Sequence, residues 1–473
     1  MTNARDYPGS IATLLTEYTE NAAAAGQVRN GDEWVKKQDY PQARQCYSGA
    51  LNIQPDNYDA MAGIDYLDYL ISPPKERYCW TPKPLPNEIN EQRAFNRELN
   101  RREFEAKKTV LKSVPTMCLL ELTTRCNFSC IHCHRRYFPV PETDIDVNLL
   151  DSLFANVFPK LDWITVTGFG EQTISRHYPS VMARLVALQI VSHYSTNTST
   201  LTPAHIEALV KCNANIILSV DGTSKETFES IRCGGKWHQL LKSLFLIKRI
   251  RAILGGDSLF RITFVIMRKN IHELPDMVRL INFFNLDDLT VQDYLPVGDP
   301  VMDQQTLRHE PERANRYLND AAKLAKEYNM KILLPDPFPT DAPSPGDGLW
   351  KRFRRIRRVF PERKRFPMRC FQPWSSPCFR ANGDVSPCCN SSRSMGSLHE
   401  KCFEEIWNGW RFRLFRRMAD SFLPPPECRI CNVIDSINSG NPANTIQKEG
   451  LIVKSLYYIE RKLRRAFLKI HGN

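Results

Sequence analysis

Three cysteines with the spacing C-x3-C-x2-C follow a short apolar run, and this arrangement constrains the chain more than any other feature. They are Cys126, Cys130 and Cys133, and residues 116–122 before them are typical of a buried strand. A structural zinc site closes on four ligands, and a cubane iron–sulfur cluster can also use four cysteines. Three thiolates on one loop therefore favour a cluster with one iron open to a cofactor or substrate. A zinc knuckle or three reduced thiols would share the spacing.

Strand-like and helix-like runs alternate along the middle of the chain. The apolar, strand-like runs are residues 116–122, 162–167, 190–196, 215–220, 261–267 and 288–294. Helix-like runs such as 203–211 and 237–253 lie between them, with apolar residues three and four positions apart. This alternation predicts βαβ units and a parallel sheet, with the functional site at the C-terminal ends of the strands.

The cysteine loop directly after the first strand resembles the signature of radical S-adenosylmethionine (SAM) enzymes. The resemblance implies an α/β fold, a partial (β/α)6 barrel, and a [4Fe-4S] cluster on the three loop cysteines whose open iron binds SAM. His132 is then among the cofactor contacts. Reductive cleavage of SAM would give methionine and a 5′-deoxyadenosyl radical that removes a hydrogen atom from the substrate. An external electron donor such as flavodoxin or ferredoxin is also implied.

A second run, residues 163–171, ends in Gly-Phe-Gly-Glu after a strand-like segment. It is similar to the Gly-Gly-Glu motif that receives the SAM ammonium in this family, with Gly170 and Glu171 as the matching residues. Phe169 replaces the first glycine and Gln172 the usual proline, so the match is partial. An ordinary strand-to-helix turn is the alternative interpretation.

A third run, Ser-Val-Asp-Gly at 219–222, is followed by a helix start and by Ile-Arg-Cys-Gly-Gly. It is similar to the Ser-x-Asp-Gly … Ile-Arg-x-Gly segment of radical SAM enzymes that carry a C-terminal cluster domain. The resemblance implies that Ser219 and Asp221 lie near the SAM ribose. Arg232 is a candidate partner for the SAM carboxylate.

A second set of cysteines lies near the C-terminus, and its phrases Asn-Gly-Asp-Val-x-Pro-Cys-Cys and Ile-Trp-Asn resemble the SPASM/twitch auxiliary-cluster domain. The resemblance implies one auxiliary [4Fe-4S] cluster, and its expected ligands are Cys370, Cys388, Cys428 and Cys431. The Asn-Gly-Asp turn predicts a hairpin that places Cys370 and Cys388 on neighbouring strands. Cys389 could replace Cys388, Cys378 could be an extra ligand, and a zinc ribbon is the competing interpretation.

The N-terminal segment predicts a helical module of a different kind. Residues 31–55 match one tetratricopeptide (TPR) repeat, with small and aromatic residues where two helices touch. One repeat does not make a free-standing stack, so it docks a peptide or protein partner, covers the barrel or contacts a second copy of the chain. The expected division of the chain is a TPR-like domain at 1–70, a linker at 71–115, the barrel at 116–300, a bridging region at 301–365, a small α+β auxiliary domain at 366–435 and a basic amphipathic helix at 436–473.

Charge and cysteine usage bear on the partners. The formal net charge of +12 is concentrated at residues 350–369 and 452–470, which favours an anionic substrate or a peripheral membrane contact. A nucleic-acid substrate is a third and weaker interpretation, because only the net charge indicates it and the sequence shows no stacking aromatics within a defined binding fold. Fifteen cysteines without a signal peptide or a membrane-spanning run favour a cytoplasmic protein. Two substrate classes follow: a small anionic, sugar- or nucleotide-like molecule, or alternatively a peptide or protein recruited by the TPR-like module. No catalytic side chain can be named.

Overall fold

The computed structural model describes residues 9–17, 21–73, 87–137, 140–212, 214–294, 300–340, 370–419, 421 and 424–429. The predicted basic stretch at 350–369, Cys431 and the predicted C-terminal helix lie outside these residues. The fold is mixed α/β, built around one sheet.

Ten strands in the described part of the chain form this sheet. They are β1 (Met117–Leu120), β2 (Trp163–Val166), β3 (Val191–Thr196), β4 (Asn215–Ser219), β5 (Leu259–Ile266), β6 (Asp288–Asp293), β7 (Lys331–Leu333), β8 (Cys378–Phe379), β9 (Asp384–Ser386) and β10 (Gly396–Ser397). Their spatial order is β10-β9-β8-β1-β2-β3-β4-β5-β6-β7. The pairs from β1 to β7, and the pair β1–β8, are parallel. The predicted parallel sheet is therefore confirmed, and β7 extends it by one strand.

Helices connect the consecutive parallel strands. They are α6 (His134–Tyr137), α7 (Val147–Asn156), α8 (Tyr178–Ala187), α9 (Pro203–Lys211), α10 (Lys225–Ile231), α11 (Trp237–Leu254), α12 (Leu274–Phe283), α13 (Pro300–Asp303) and α14 (Pro311–Glu327). The residues of β2 to β5 alternate in burial, because successive side chains point to opposite faces of a sheet. On β5, Phe260, Ile262 and Phe264 are fully buried, whereas the residues between them stay half-exposed. We call the half-exposed side the open face of the sheet.

Five helices precede the sheet: α1 (Ile11–Glu17), α2 (Ala22–Lys36), α3 (Tyr40–Ile53), α4 (Tyr58–Ile71) and α5 (Asn87–Glu105). The fully buried Tyr47 ring fills the space beside Gly31 and Gly63, where an added Cβ would lie 2.6 Å from the ring. Helices α2 and α4 pack on α11 rather than standing apart. The segment predicted as a linker contains α5, whose Arg93 donates hydrogen bonds of 2.9 and 2.7 Å to the carbonyls of Pro159 and Leu188.

The described residues from 370 to 429 add three antiparallel strands, β8, β9 and β10, and four short helices. These are α15 (Gln372–Ser375), α16 (Phe403–Trp407), α17 (Trp410–Ala419) and α18 (Pro426–Arg429). The predicted Asn-Gly-Asp turn is confirmed: Gly383 has a φ of +82°, which glycine tolerates. The fully buried Arg416 donates to the carbonyls of Pro373, Thr109 and Trp407, which joins α17 to the body of the protein.

No helix in the described part of the chain combines the length and the apolar character needed to cross a bilayer.

Candidate active site

The loop with the first three cysteines leaves the C-terminal end of β1 and is held by the segment after α10. Backbone N–H groups of Ser129 and Ile131 donate to the carbonyls of Cys233 and Ile231, at 2.7 and 3.0 Å. The glycines that follow allow this close approach, since Gly234 has a φ of +95° and a Cβ there would lie 3.0 Å from the Asn127 carbonyl oxygen. The backbone of residues 231–234, at the end of the third sequence motif, therefore supports the cysteine loop.

Gly170, after β2, presses against the same loop from the other side. A Cβ at this position would lie 2.3 Å from the Thr123 oxygen and 2.4 Å from the Arg125 oxygen, both backbone atoms. The next N–H, that of Glu171, donates to the Arg125 carbonyl at 2.9 Å. Only glycine fits here, so the match to the second motif has a direct structural reason.

Glu171 and Gln172 are both buried and both bind protein groups. The Glu171 carboxylate accepts from the Thr196 hydroxyl at 2.9 Å and from the Asn197 N–H at 2.6 Å, and burial raises its pKa. The Gln172 amide accepts from the Leu122 N–H at 2.6 Å, which ties the turn to the end of β1. Gln172 thus has a specific role where the family has proline. A contact between Glu171 and SAM stays a prediction.

A buried group of charges lies beside the cysteine loop. Asp221, fully buried, accepts from the Val265 N–H at 2.8 Å, and its other oxygen lies 2.6 Å from Arg232 Nε and 3.4 Å from His132 Nε2. Arg232 Nη1 lies 3.7 Å from the sulfur of Cys130. The guanidinium is therefore already paired with Asp221 and directed at a cluster cysteine, and its predicted contact with the SAM carboxylate stays a prediction.

These residues fit an iron–sulfur cluster. Cys126, Cys130 and Cys133 form no disulfide. Burial raises the pKa of the Cys126 thiol, and it raises the pKa of the Cys130 thiol to about 11. Iron binding must displace these protons, and the Arg232 cation favours the resulting thiolate. In the described part of the chain His132 Nδ1 is buried without a hydrogen-bond partner, and burial lowers the pKa of this imidazole to about 4. The same part of the chain contains no group of three or more His, Cys, Asp or Glu side chains that is already arranged to hold a metal ion.

The open face of the sheet carries polar side chains below this loop. Ser219, the predicted ribose contact, ends β4 and is in register with Thr263, which is in register with Thr290. Two residues earlier on β5, Arg261 is in register with Ile217 on β4 and with Asp288 on β6. Arg261 and Thr263 were not predicted as site residues from the sequence. They could have been found there, because they are the polar positions in the otherwise apolar strand Leu-Phe-Arg-Ile-Thr-Phe-Val-Ile.

The second set of cysteines lines a pocket in the C-terminal part of the chain. The lining residues are Cys370, Gln372, Pro373, Cys388, Cys389, Asn390, Phe415, Ala419, Glu427 and Cys428. Three of the four predicted auxiliary ligands therefore line one pocket, and the fourth, Cys431, lies outside the described residues. A site that brings together three thiols, with a fourth three residues along the chain, fits a four-cysteine cluster.

The structure corrects the predicted strand placement of the auxiliary cysteines and shows where the alternative ligands Cys378 and Cys389 lie. The prediction that Cys370 and Cys388 lie on neighbouring strands is wrong. Cys370 lies just before α15 and Cys388 lies two residues after β9, because the hairpin strand that pairs with β9 across the Asn-Gly-Asp turn is β8, which contains Cys378. Cys378 is fully buried on β8 and is not among the pocket residues. Cys388 and Cys389 both border the pocket, Cys389 being the exposed one of the two, and burial raises the pKa of Cys388.

We expect Cys388, the less exposed thiol, to be the ligand. In a background that lacks the three loop cysteines, Cys388→Ser should reduce the iron remaining after anaerobic reconstitution from about four atoms per chain to near zero. Cys389→Ser is the matched control and should retain the iron and its electron paramagnetic resonance signal. The reverse pattern would assign the ligand to Cys389.

Two family models match this chain. Residues 120–281 match the radical SAM superfamily, and residues 370–432 match SPASM, an iron–sulfur cluster-binding domain. Together with the cysteine loop and the cysteine-lined pocket, these matches make the chain a radical SAM enzyme of the SPASM subclass. Its cofactors are SAM, the [4Fe-4S] cluster of the radical SAM domain and auxiliary iron–sulfur in the SPASM domain.

Individual relatives are distant. A curated protein from Pyrococcus furiosus, described as a tungsten-containing aldehyde ferredoxin oxidoreductase cofactor-modifying protein, is 22% identical over 340 residues, covering 67% of this chain and 87% of its own. Among solved structures, Streptococcus suis SuiB bound to SAM has a TM-score of 0.49 at 15% identity, covering 82% of this chain and 87% of its own. The anSMEcpe enzyme with bound SAM has a TM-score of 0.48 at 16% identity, covering 67% and 84%.

Proposed function

We propose that this enzyme abstracts a hydrogen atom from a small, polar and anionic substrate, of the sugar- or nucleotide-like kind, held against the open face of the sheet. When bound, the first cluster and SAM supply a 5′-deoxyadenosyl radical for this step. The observation that carries the proposal is Arg261, a cation at the third position of strand β5 on the open face of the sheet, two residues before Thr263. A cytoplasmic location and an external electron donor belong to the same proposal.

The position of Arg261 suits a substrate anchor. It lies two residues before Thr263 on β5, a spacing of about 7 Å along the strand at 3.3 Å per residue. Its nearest described carboxylate is Asp288, 3.3 Å from Nε, and the Arg261 side chain stays 29% exposed while that of Asp288 is 8% exposed. Hydrogen bonds to charged groups contribute about 1.5–3 kcal/mol, so an arginine that binds an anionic group here would orient the whole substrate.

The packing of the N-terminal helices bears on the alternative, a peptide or protein substrate recruited by a TPR-like module. Helices α2 and α4 face α11, with Lys248 2.8 Å from Asp59, Arg249 3.4 Å from Asp32, and the rings of Tyr58 and Phe245 5.2 Å apart. The face of the module that packs on α11 is therefore covered by the chain itself. This supports a covering role for residues 21–71 over recruitment of a peptide through that face.

The Pyrococcus furiosus relative gives the small-molecule class one concrete member to test. That relative is described as a protein that modifies a cofactor of a tungsten-containing oxidoreductase. A cofactor-type small molecule belongs to the polar class proposed here, so cofactor preparations should be assayed beside sugar phosphates and nucleotides.

Isotope transfer can identify the substrate class without knowledge of the substrate. A uniformly deuterated cell extract is divided by ultrafiltration into a metabolite fraction and a macromolecular fraction, and each is incubated with reconstituted enzyme, SAM and dithionite. We expect deuterium to appear in 5′-deoxyadenosine with the metabolite fraction, because the radical takes its hydrogen from the substrate. Deuterium transfer from the macromolecular fraction alone would contradict the proposal.

The variant Arg261→Met tests the anchor in the same assay. It should lower deuterium transfer by about tenfold or more, since the lost interaction is of the charge-assisted kind, while substrate-free SAM cleavage continues. Arg279→Met is the matched control, because Arg279 pairs with Asp276 on the outer helix α12 and does not belong to the sheet. Equal transfer by Arg261→Met and the wild type would remove Arg261 from the substrate site.

A further inference from the structure

Helix α17 lines the auxiliary pocket with one of its sides, and the exposure of its two sides differs sharply. On the inner side Phe415 and Ala419 line the pocket that contains Cys370, Cys388 and Cys428. On the outer side the exposed residues are Trp410, Arg411, Arg413, Leu414 and Arg417. A helix with its side chains is about 10–12 Å across, so the auxiliary site lies about one helix thickness from this surface.

No carboxylate of the described residues pairs with the cations on the outer side. In the part of the chain that the structure describes, Arg411, Arg413 and Arg417 form no ion pair with a carboxylate. Helix α5 provides a contrast, because its Arg101 and Arg102 both pair with Glu98, at 2.8 and 2.6 Å. The field of the α17 cations therefore extends into solvent, where it can attract an acidic partner.

The neighbouring segment 107–112 enlarges this surface. Its backbone is joined to α16 and α17 by hydrogen bonds between Leu111 and Asn408, at 2.8 Å in both directions, and between Arg416 and the Thr109 carbonyl at 2.9 Å. It adds exposed cations and one exposed apolar residue, namely Lys107, Lys108, Lys112 and Val110. We call these residues and the exposed residues of α17 the α17 surface.

Apolar anchors lie among these charges. Trp410 is 64% exposed, Val110 54% and Leu414 46%, which places them among the most exposed large hydrophobic residues described in the protein. Arg411 lies over the Trp410 ring, 5.5 Å from its centroid. Exposed tryptophan and arginine side chains are typical of protein–protein contact surfaces and are the residue types that most often dominate binding.

We propose that the α17 surface is the docking site of a small acidic electron-carrier protein that serves the auxiliary cluster. The inference rests on the proposed function only in requiring that this cluster be used. One electron leaves the reduced carrier and enters the oxidised cluster, and no bond forms or breaks. An anionic membrane would also be attracted to the charges, but the opposite face of the same helix lines the cysteine pocket, and only a redox partner uses that proximity.

The test measures binding of two probes, a flavodoxin and an acidic [2Fe-2S] ferredoxin, to the reconstituted full-length enzyme by calorimetry. The double variant Arg411→Glu/Arg413→Glu should raise the Kd of the preferred carrier by about tenfold or more at low salt. It should also make that Kd depend less on salt concentration. The matched control is Lys323→Glu/Lys326→Glu on α14, which changes the net charge equally at exposed positions and should bind as the wild type does. The neutral variant Arg411→Gln/Arg413→Gln, expected to be intermediate, guards against misfolding of the reversed one.

Two further readouts separate the outcomes. Stopped-flow reduction of the auxiliary cluster by the carrier should slow in the α17 variant, while SAM cleavage driven by dithionite stays unchanged. Failure of dithionite-driven cleavage in the wild type would instead count against the enzyme's proposed chemistry. Equal carrier binding by all variants, no saturable binding of either carrier to the wild type, or loss of binding only to phosphatidylserine vesicles would overturn the docking proposal.

Discussion

Replacing Cys130 with alanine should abolish reductive SAM cleavage and remove about half of the iron, from about eight to about four atoms per chain. Cys130 is the most buried of the three loop cysteines, at 7% exposure, and its sulfur lies 3.7 Å from Arg232 Nη1. Its loss takes one ligand from a site that has three and leaves the guanidinium without the thiolate beside it. Iron and sulfide assays after anaerobic reconstitution, with chromatography of 5′-deoxyadenosine, measure both effects.

The control for this substitution is Cys402→Ser. Cys402 is exposed, lies at the N-terminus of α16, and does not border the auxiliary pocket. Serine keeps an N-cap acceptor at this position, so iron content and SAM cleavage should both match the wild type. Stoichiometric zinc in the purified protein, or SAM cleavage by Cys130→Ala, would rule out the loop as the SAM-binding cluster site.

Gly170→Ala should reduce SAM cleavage by about 100-fold, because the added methyl group has to displace the cysteine loop. The new Cβ would lie 2.3 and 2.4 Å from two backbone oxygens, and backbone of a packed loop cannot rotate away as a flexible side chain can. Relief of that clash needs a movement of about 1 Å, a misplacement that typically costs reactions about two orders of magnitude. The strain should also lower the free energy of unfolding by about 1–3 kcal/mol.

Gly26→Ala is the matched control for Gly170→Ala. Gly26 lies inside α2, and a Cβ there would meet no atom within 4 Å. Alanine in a helix interior stabilises by about 0.5–1 kcal/mol relative to glycine, so this variant should unfold at the same or slightly higher denaturant concentration with unchanged SAM cleavage. Full activity and wild-type stability of Gly170→Ala would show that the two loops do not touch as described.

Local patterns predicted the parallel sheet well, because each strand from β1 to β6 overlaps one of the strand-like runs of the sequence and helix-like runs separate them. The cysteine loop and its glycine neighbours were also predictable, since close backbone approach leaves a glycine in the sequence, as at Gly170 and Gly234. The pairing of β1 with β8 was not predictable, because β8 has two residues, shows no periodicity and is far from β1 in sequence. Since a strand of two residues leaves no pattern, nothing in the sequence indicated that Cys378, rather than Cys370, lies on a strand.

Long-range side-chain ties also left no sequence signal. The buried Glu121 carboxylate accepts from the Phe169 N–H at 2.7 Å and from the Ala381 N–H at 3.2 Å, so one residue joins the β2 turn to the end of β8. A single glutamate at the end of a strand does not indicate in the sequence which distant backbone groups it binds. The same holds for Arg261, whose importance depends on which face of β5 is covered by helices.

The pairing of β8 with β1 has a consequence for the order of events during synthesis of the chain. Strand β1 carries the cysteine loop, yet one of its two neighbours is Cys378–Phe379, translated long after residue 133. Until that pair leaves the ribosome, β1 has an unpaired edge, which is prone to wrong associations. The Glu121 carboxylate also lacks one of its two backbone donors until then. We therefore expect iron to enter the first site only after nearly the whole polypeptide has emerged. A stalled, shortened nascent chain would expose reactive thiols beside an unpaired strand edge that is prone to aggregation.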